Sequence, residues 1–210
     1  MKEAKFVLET NVSEYSRQYE DCDILGLRFE DADKKLLKKL LPEITKPLML
    51  RGETEVLMQL MEVLDRKCII AHAHENNYKE LVPAAVKGGH TLVIRTPIDI
   101  NLAKEMNILT SDMGLPLDKI LIDTDIGGLG YGLEYGYSMI EKIKLSNDKY
   151  LNMPIISFAV EETLKTKEAK SSAQMALMSE ITAAAAVLAA GVDIIVMNCP
   201  QALKTLKGLQ

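Results

Sequence analysis

Short, almost uninterrupted apolar runs recur along the 210-residue chain, and between them lie longer stretches in which apolar residues return every three or four positions. The first pattern is that of a strand buried on both faces, and the second is that of an amphipathic helix. Lys5-Phe-Val-Leu-Glu9 opens the series, and the polar segment Asn11 to Asp21, with Tyr15 and Tyr19 one helical turn apart, predicts a short helix after it. Asp23 to Glu30 is the second run; Asp31 then stands as N-cap to a helix with Leu36, Leu37, Leu40 and Leu41 on one face. Pro47 to Leu50 precedes the stripe Val56, Leu57, Leu60, Met61 and Leu64. Cys68 to Glu75 precedes Asn76, a candidate cap for a helix carrying Tyr78, Leu81, Val82, Ala85 and Val86.

Thr91 to Thr96 repeats the unit, with Asp99 placed to cap a helix carrying Leu102, Met106, Leu109 and Met113. Lys119 to Asp125 is the sixth run and leads to a helix from Leu133 to Leu145. Pro154 to Ala159 is the seventh, followed by a polar stretch, Glu161 to Ser172, and an alanine-rich helix; Gly191 to Met197 is the eighth, ahead of a terminal helix Ala202 to Lys207. Eight strand candidates, each with a helical pattern behind it, predict a compact α/β protein, a closed (β/α)8 TIM barrel forming a single domain over residues 1–210. That length sits at the lower end of the roughly 200 to 400 residues usual for the fold, so its loops must be short. An open doubly wound sheet is the alternative, since alternation alone does not show closure.

Composition removes several classes of function. With 30 acidic against 25 basic residues and a formal charge of −5, the balance argues against a nucleic-acid-binding surface as the main business of the chain. Cys22, Cys68 and Cys199 are far apart and form no CxxC or Cys/His cluster, so they read as structural thiols. No apolar run reaches the roughly 18 residues of a membrane helix, and Met1-Lys-Glu-Ala-Lys5 lacks the apolar core of a signal peptide. These features lead to the expectation of a cytoplasmic protein with no membrane partner.

In a barrel of this kind function gathers at the C-terminal ends of the strands. Those ends carry Arg28 and Glu30; Arg51 and Glu53; His72, His74, Asn76 and Asn77; Arg95, Thr96 and Asp99; Asp123, Thr124 and Asp125; Ser157; and Asn198. Hydrogen-bonding groups and carboxylates dominate over nucleophiles, which suits holding a large polar ring system better than hydrolysis. After the sixth run come Gly127, Gly128, Gly130 and Gly132, and a helix begins directly behind them. Such a loop either takes positive φ angles or lets something approach the backbone closely, and the helix start offers free N–H groups. A tight turn explains the same glycines.

Other candidates divide in the same way. His72 and His74 alternate along a strand and would point the same way, as metal ligands or, more commonly, as a hydrogen-bonded wall. Asp123 and Asp125 sit two apart and could shift each other's pKa or simply cap loops. Tyr131, Tyr135 and Tyr137 could stack on a flat ligand or pack with their hydroxyls outward, and the eleven methionines fit core filling.

Four stretches carry a family resemblance: His90-Thr-Leu-Val-Ile-Arg-Thr-Pro-Ile-Asp-Ile-Asn-Leu-Ala-Lys-Glu-Met-Asn107, Thr110-Ser-Asp-Met-Gly-Leu-Pro-Leu117, Gly128-Leu-Gly-Tyr-Gly-Leu-Glu-Tyr135 and Met153-Pro-Ile-Ile156. In that order they resemble the delta (small) subunit of the corrinoid iron–sulfur protein of acetyl-CoA decarbonylase/synthase. The likeness is densest over residues 72 to 160, and Ala189 to Met197 shares it. Two departures stand out: the chain is shorter than the family, mostly ahead of residue 1, and Arg95-Thr96-Pro97 stands where a Trp-Ser-Pro-like sequence is expected.

The resemblance implies a TIM barrel that pairs with a larger corrinoid iron–sulfur subunit as a heterodimer. Together they would hold a cobamide that carries a methyl group from a methyl-tetrahydropterin toward acetyl-CoA synthase, with a methyltransferase as a further partner. The iron–sulfur cluster would belong to the larger subunit, and this chain would have no complete active site of its own. The candidate cofactor-binding set is Asn76, Asn77, Thr96, Asp99, Asn101, Asp123, Asp125, Gly128, Gly130, Tyr131, Gly132 and Asn198, with no catalytic residue and no metal ligand. Two other readings remain open: a pterin-binding methyltransferase acting on its own, and a non-catalytic scaffold barrel that keeps the partner interface.

Overall fold

The computed structural model describes residues 3–96, 99–124 and 127–208. Eight parallel strands make one sheet: β1 (Lys5–Asn11), β2 (Ile24–Arg28), β3 (Leu48–Arg51), β4 (Ile69–Ala73), β5 (Thr91–Arg95), β6 (Ile120–Asp123), β7 (Ile156–Ser157) and β8 (Ile194–Met197). Their order is β6-β5-β4-β3-β2-β1-β8-β7. The two ends of that order meet where the Ile122 amide donates to the Pro154 carbonyl at 2.9 Å and Ile122 bridges Ile155 in parallel. The sheet thus closes into a barrel, through one bridge among the described residues, and the open-sheet alternative falls.

Around it lie α1 (Lys34–Leu40), α2 (Thr54–Met61), α3 (Tyr78–Gly88), α4 (Ile100–Asp112), α5 (Leu133–Leu145), α6 (Ala159–Leu164), α7 (Ala173–Ala190) and α8 (Pro200–Lys207). Strand side chains alternate between two cores. Val7, Met49, Ala71, Val93, Leu121, Ile156, Ile194 and Val196 fill the lumen. Their neighbours Phe6, Leu8, Leu25, Leu27, Leu50, Ile70, Leu92, Ile122 and Ile195 face the helices. This double burial explains the near-continuous apolar runs in the sequence.

Several local expectations are corrected. Residues 11–21 form two 3-10 turns, Val12–Glu14 and Arg17–Glu20, because a short polar segment with two apolar anchors does not offset the cost of nucleating a helix. α8 packs against β1 and β8 in its place. α1 is capped by Asp33, whose carboxylate accepts from the Leu36 amide at 2.9 Å, and not by Asp31. Asn77, and not Asn76, takes the cap position of α3. The polar stretch after β7 contains α6, and α8 begins at Pro200, a residue suited to a first helical turn. α7 also reaches what no sequence run did: 18 residues at a mean hydropathy of 1.4, enough by length and composition to cross a bilayer. It is nevertheless a helix of the outer layer, packed on α5, α6, α8 and β8.

Candidate functional site: the charged mouth of the barrel

Above the apolar lumen, the next inward positions are Glu9 on β1, Arg28 on β2, Arg51 on β3, His72 on β4, Arg95 on β5 and Asp123 on β6, joined by Phe158 just past β7 and Glu161 on α6. β4 reaches this layer through an irregularity. Ala71 pairs with Val93 but Ala73 with Ile94, so His72 is an extra residue against β5 and the alternation of faces breaks there. His72 consequently enters the mouth, while His74 Nδ1 accepts from the Asn76 amide at 3.2 Å within its own loop. The two histidines do not share a direction, and among the described residues no three His, Cys, Asp or Glu side chains gather as a metal site.

The charges at the mouth are knitted together. Arg51 bridges Glu9 at 3.0 Å and Glu161 at 2.5 Å. Arg95 holds Asp123 at 2.6 Å, and Arg28 donates to Asn11 Oδ1 at 3.0 Å while lying 4.0 Å from Glu161. Phe158 is the floor beneath them, with the Arg51 and Arg95 guanidiniums 5.0 and 5.2 Å from its ring centre and the His72 ring edge-on at 4.5 Å. Such stacking keeps the guanidiniums pre-organised.

Burial shapes the titration of these groups. It pushes the Glu9 carboxyl up against the pull of Arg51 and Arg28. It acts on Glu161 in the same sense, but the charge and hydrogen bond of Arg51, with Lys165 and Arg28, win and hold that carboxyl below its ordinary value. Burial, then the charges of Arg95 and Arg51, hold His72 well below the usual imidazole range, so it is neutral at physiological pH. Its side chain is 10% exposed; Nε2 lies 3.4 Å from Asp123 and makes no well-formed hydrogen bond among the described residues. Over this layer opens a cavity of about 660 Å³ lined by Arg28, Glu30, Arg51, Glu53, His72, Arg95 and Glu161.

The residues singled out from the sequence fall around this mouth rather than in it, with Asp123 as the exception. Asp123 is fully buried beneath Arg95. Asn77 is buried and structural: Oδ1 accepts from the His74 amide at 2.7 Å, and Nδ2 donates to Thr54 and to the His72 carbonyl. Asp99 caps α4 through the Asn101 and Leu102 amides, leaving the Asn101 side chain exposed, and Asn76 is exposed too. Thr96 is buried; the Asn198 amide donates to Glu180 at 2.7 Å. Asp125 lies outside the described residues.

The glycine loop folds onto α6. The Leu129 amide donates to Thr163 Oγ1 at 3.1 Å, and the Tyr131 hydroxyl donates to the Glu162 carbonyl at 3.1 Å. A Cβ on Gly128 would come within 2.8 Å of the Glu162 backbone, whereas Gly130 and Gly132 have φ of +82° and +97°. Sequence reasoning passed over Glu9, Phe158 and Glu161 and left the arginines unchosen. The available signal was parity: counted along β1, β3 and β5 from the lumen residues Val7, Met49 and Val93, the charges Glu9, Arg51 and Arg95 fall on the inward face.

Comparison with known proteins places this geometry. A dihydropteroate synthase from Xanthomonas albilineans, solved with 4-aminobenzoic acid, superposes with a TM-score of 0.74 over 99% of this chain and 92% of that one at 12% identity. One from Coxiella burnetii, in complex with pteroic acid, gives 0.70 at 14% identity. At such identity they show the shared barrel alone. The acetyl-CoA decarbonylase/synthase complex subunit delta of Methanocaldococcus jannaschii is 29% identical over 190 residues, 82% of this chain and 47% of that protein. Subunit delta 1 from Methanosarcina thermophila is 32% identical over 135 residues, 59% of this chain and 31% of that protein. The chain therefore spans less than half the length of these curated relatives. The family model for the CO dehydrogenase/acetyl-CoA synthase delta subunit matches residues 11–206, and the chain belongs to that family.

Proposed function

We propose that this barrel acts as a small subunit that covers one face of a cobamide and positions it for methyl transfer from a methyl-tetrahydropterin toward acetyl-CoA synthesis or cleavage. The observation that carries the reading is family membership over residues 11–206. The mouth fits a covering role. Its cavity, about 660 Å³, lies within the roughly 300 to 1,000 Å³ that encloses a drug-sized ligand, and a cobamide is larger than such a ligand. One face would rest here, and a larger corrinoid subunit would hold the rest.

The residues present suit that task. Arg28, Arg51 and Arg95 line the opening and offer donors to the amide side arms of a corrin, while neutral His72 lies beneath them with its Nε2 turned toward buried Asp123. Bound cobalt would supply the methyl-carrying chemistry, and this chain would bind, orient and exclude water. The iron–sulfur cluster is assigned to the larger subunit, since such clusters use about four cysteines together. Here Cys22 and Cys68 precede β2 and β4 at one end of the barrel, while Cys199 follows β8 at the other.

A second reading rests on the size of the cavity and on the barrel shared with synthases solved with pteroic acid: the mouth takes the methyl-pterin itself. Anaerobic co-expression with a larger corrinoid subunit, followed by the visible spectrum of the purified complex, separates the two. A retained corrinoid spectrum, weakened by Arg95→Ala in a complex that still assembles, supports the first. Calorimetric binding of methyl-tetrahydrofolate by the isolated chain, with no corrinoid retained in the complex, supports the second. Assembly without either ligand leaves a scaffold barrel.

A further inference from the structure

Six large hydrophobic side chains are exposed among the described residues, and five of them lie on one side of the barrel. Tyr131 and Tyr135 stand at the start of α5, Leu145 at its end, and Met175 and Met178 on α7, which packs against α5. The one charged residue of α7, Glu180, is buried beneath the helix, where it accepts from the Asn198 and Cys199 amides. The outward face of α7 is left without charge along its whole length. Scattered exposed hydrophobics are ordinary, whereas a contiguous uncharged face marks an interaction surface.

That face has an internal order. Met175, Met178, Thr182, Ala185 and Ala189 are all exposed and follow one another at intervals of three and four, the spacing of a helix-packing seam. Bulk falls along the seam, with methionines at the first end and alanines at the last. Thr182, midway, spends its hydroxyl on the Met178 carbonyl at 2.8 Å. A seam graded in this way is complementary to itself when reversed: Met175 meets Ala189, Met178 meets Ala185, and Thr182 meets its own copy. Large against small across facing positions is how helices interdigitate, and a reversed self-pairing is the symmetry of an isologous dimer.

α5 enters the same arrangement. Lys144 lies beside Gly191 and bonds Asp193 at 2.5 Å, which sets the height of α5 against α7. Tyr135 is nine residues before Lys144, as Thr182 is nine before Gly191, so with equal rise Tyr135 stands level with Thr182. Tyr135 is 63% exposed, and a two-fold axis at that height brings it against its copy. Size argues for this participation. The 18-residue α7 offers a strip of about 27 by 10 Å and the 13-residue α5 adds about 20 by 10 Å, which over two copies comes to roughly 900 Å², at the small end of specific interfaces and out of reach of α7 alone.

We infer that the α5–α7 face binds a second copy of this chain, forming an antiparallel two-fold dimer centred on Thr182 and Tyr135. This dimer is independent of what the mouth holds. Sedimentation equilibrium of the full chain from micromolar to submillimolar concentration should show a dimer. Met178→Glu, at an exposed position, should be monomeric with an unchanged circular dichroism spectrum and with the thermal midpoint that the wild-type chain shows when diluted to a monomer. Met178→Ala and Ala185→Met should each raise the dimer dissociation constant about tenfold or more, the first by a void and the second by a clash. The double variant, which exchanges the two sizes, should recover the wild-type constant. A wild-type chain that stays monomeric at every concentration overturns the dimer, and under those conditions capture by the larger corrinoid subunit or by phosphatidylcholine vesicles would identify the other occupant. A dimer that survives Met178→Glu overturns the surface, and a double variant no tighter than the weaker single variant overturns the reversed pairing.

Discussion

The glycine loop between β6 and α5 and the arginine-lined mouth stand at the same end of the barrel, yet one is held by backbone and the other by charge. In the loop, Gly128 is glycine because the α6 backbone leaves no room for a side chain, and Gly130 and Gly132 because their φ angles are positive. In the mouth, each of these ion pairs joins two different elements, so position is fixed by electrostatic partners across the opening. The difference separates two kinds of sequence signal. A glycine cluster reports what the chain does to itself, whereas charges on the inward face of buried strands report a place kept polar against the cost of burial.

The largest test of this contrast is Arg51→Ala. It leaves Glu9, 2% exposed, without the cation that partners it, and removal of one member of a buried pair costs about 3 to 5 kcal/mol. Denaturant unfolding should show a loss of that size, and partial recovery in Glu9→Gln/Arg51→Ala would attribute it to the stranded carboxylate. Next comes Gly128→Ala. Its new methyl meets the Glu162 backbone at 2.8 Å, so unfolding should report a loss of about 1 to 3 kcal/mol, typical of overpacking.

Gly130→Ala tests the same loop without a clash. No atom lies within 4 Å of the added Cβ, and the left-handed backbone alone should cost about 1 to 2 kcal/mol. If the loop is a turn, corrinoid retention by the complex stays unchanged while the midpoint falls; a loss of retention at constant midpoint would move the site to the loop. The smallest effect is a pH slope. His72 is held neutral, its pKa well below the ordinary 6.5, so the unfolded chain takes up a proton first as pH falls. The stability that neutral His72 contributes is intact above about pH 6.5 and declines below it, by at most about 1.4 kcal/mol per pH unit. His90, also lowered by burial, adds in the same direction. His72→Gln should flatten the slope between pH 6.5 and 5.5 by its share, and an unchanged slope would show that the imidazole is not desolvated.

The fold was legible because double burial leaves a strong trace: each of the eight strands overlaps an apolar run, although β1 continues through Glu9 and Thr10 to Asn11 and β3 to Arg51, past the ends those runs suggest. What escaped were features that depend on neighbours. Asp33 rather than Asp31 caps α1, a shift of two residues between equivalent carboxylates that only the helix start decides. The extra residue at His72 depends on the register of β4 against β5, which a single strand does not contain. α6 was hidden because its six residues include Glu161 and Glu162, and one of these carboxylates turns into the mouth. Of the candidate site, the strand-end positions of Asp123, Arg51 and Arg95 were all legible, but what made the arginines worth choosing was not: Phe158, Glu9 and Asp123, which gather around them, come from other elements.

Among the described residues one bridge, between Ile122 and Ile155, joins β6 to the β7 side, and it gives the barrel a preferred place to open. β1 and β2 are joined through five paired positions, whereas the seam beside the two-residue β7 has one. Local unfolding follows the least supported backbone bonds, so the Ile122 amide should exchange with deuterium well before the amides of β1 and β2, through an opening smaller than global unfolding. The glycine loop and α5 hang from one lip of that seam and α6 from the other. The hydrogen bonds of Leu129 to Thr163 and of Tyr131 to Glu162 clasp those two lips at the mouth, so a guest that tightens the clasp would be recorded as slower exchange at Ile122.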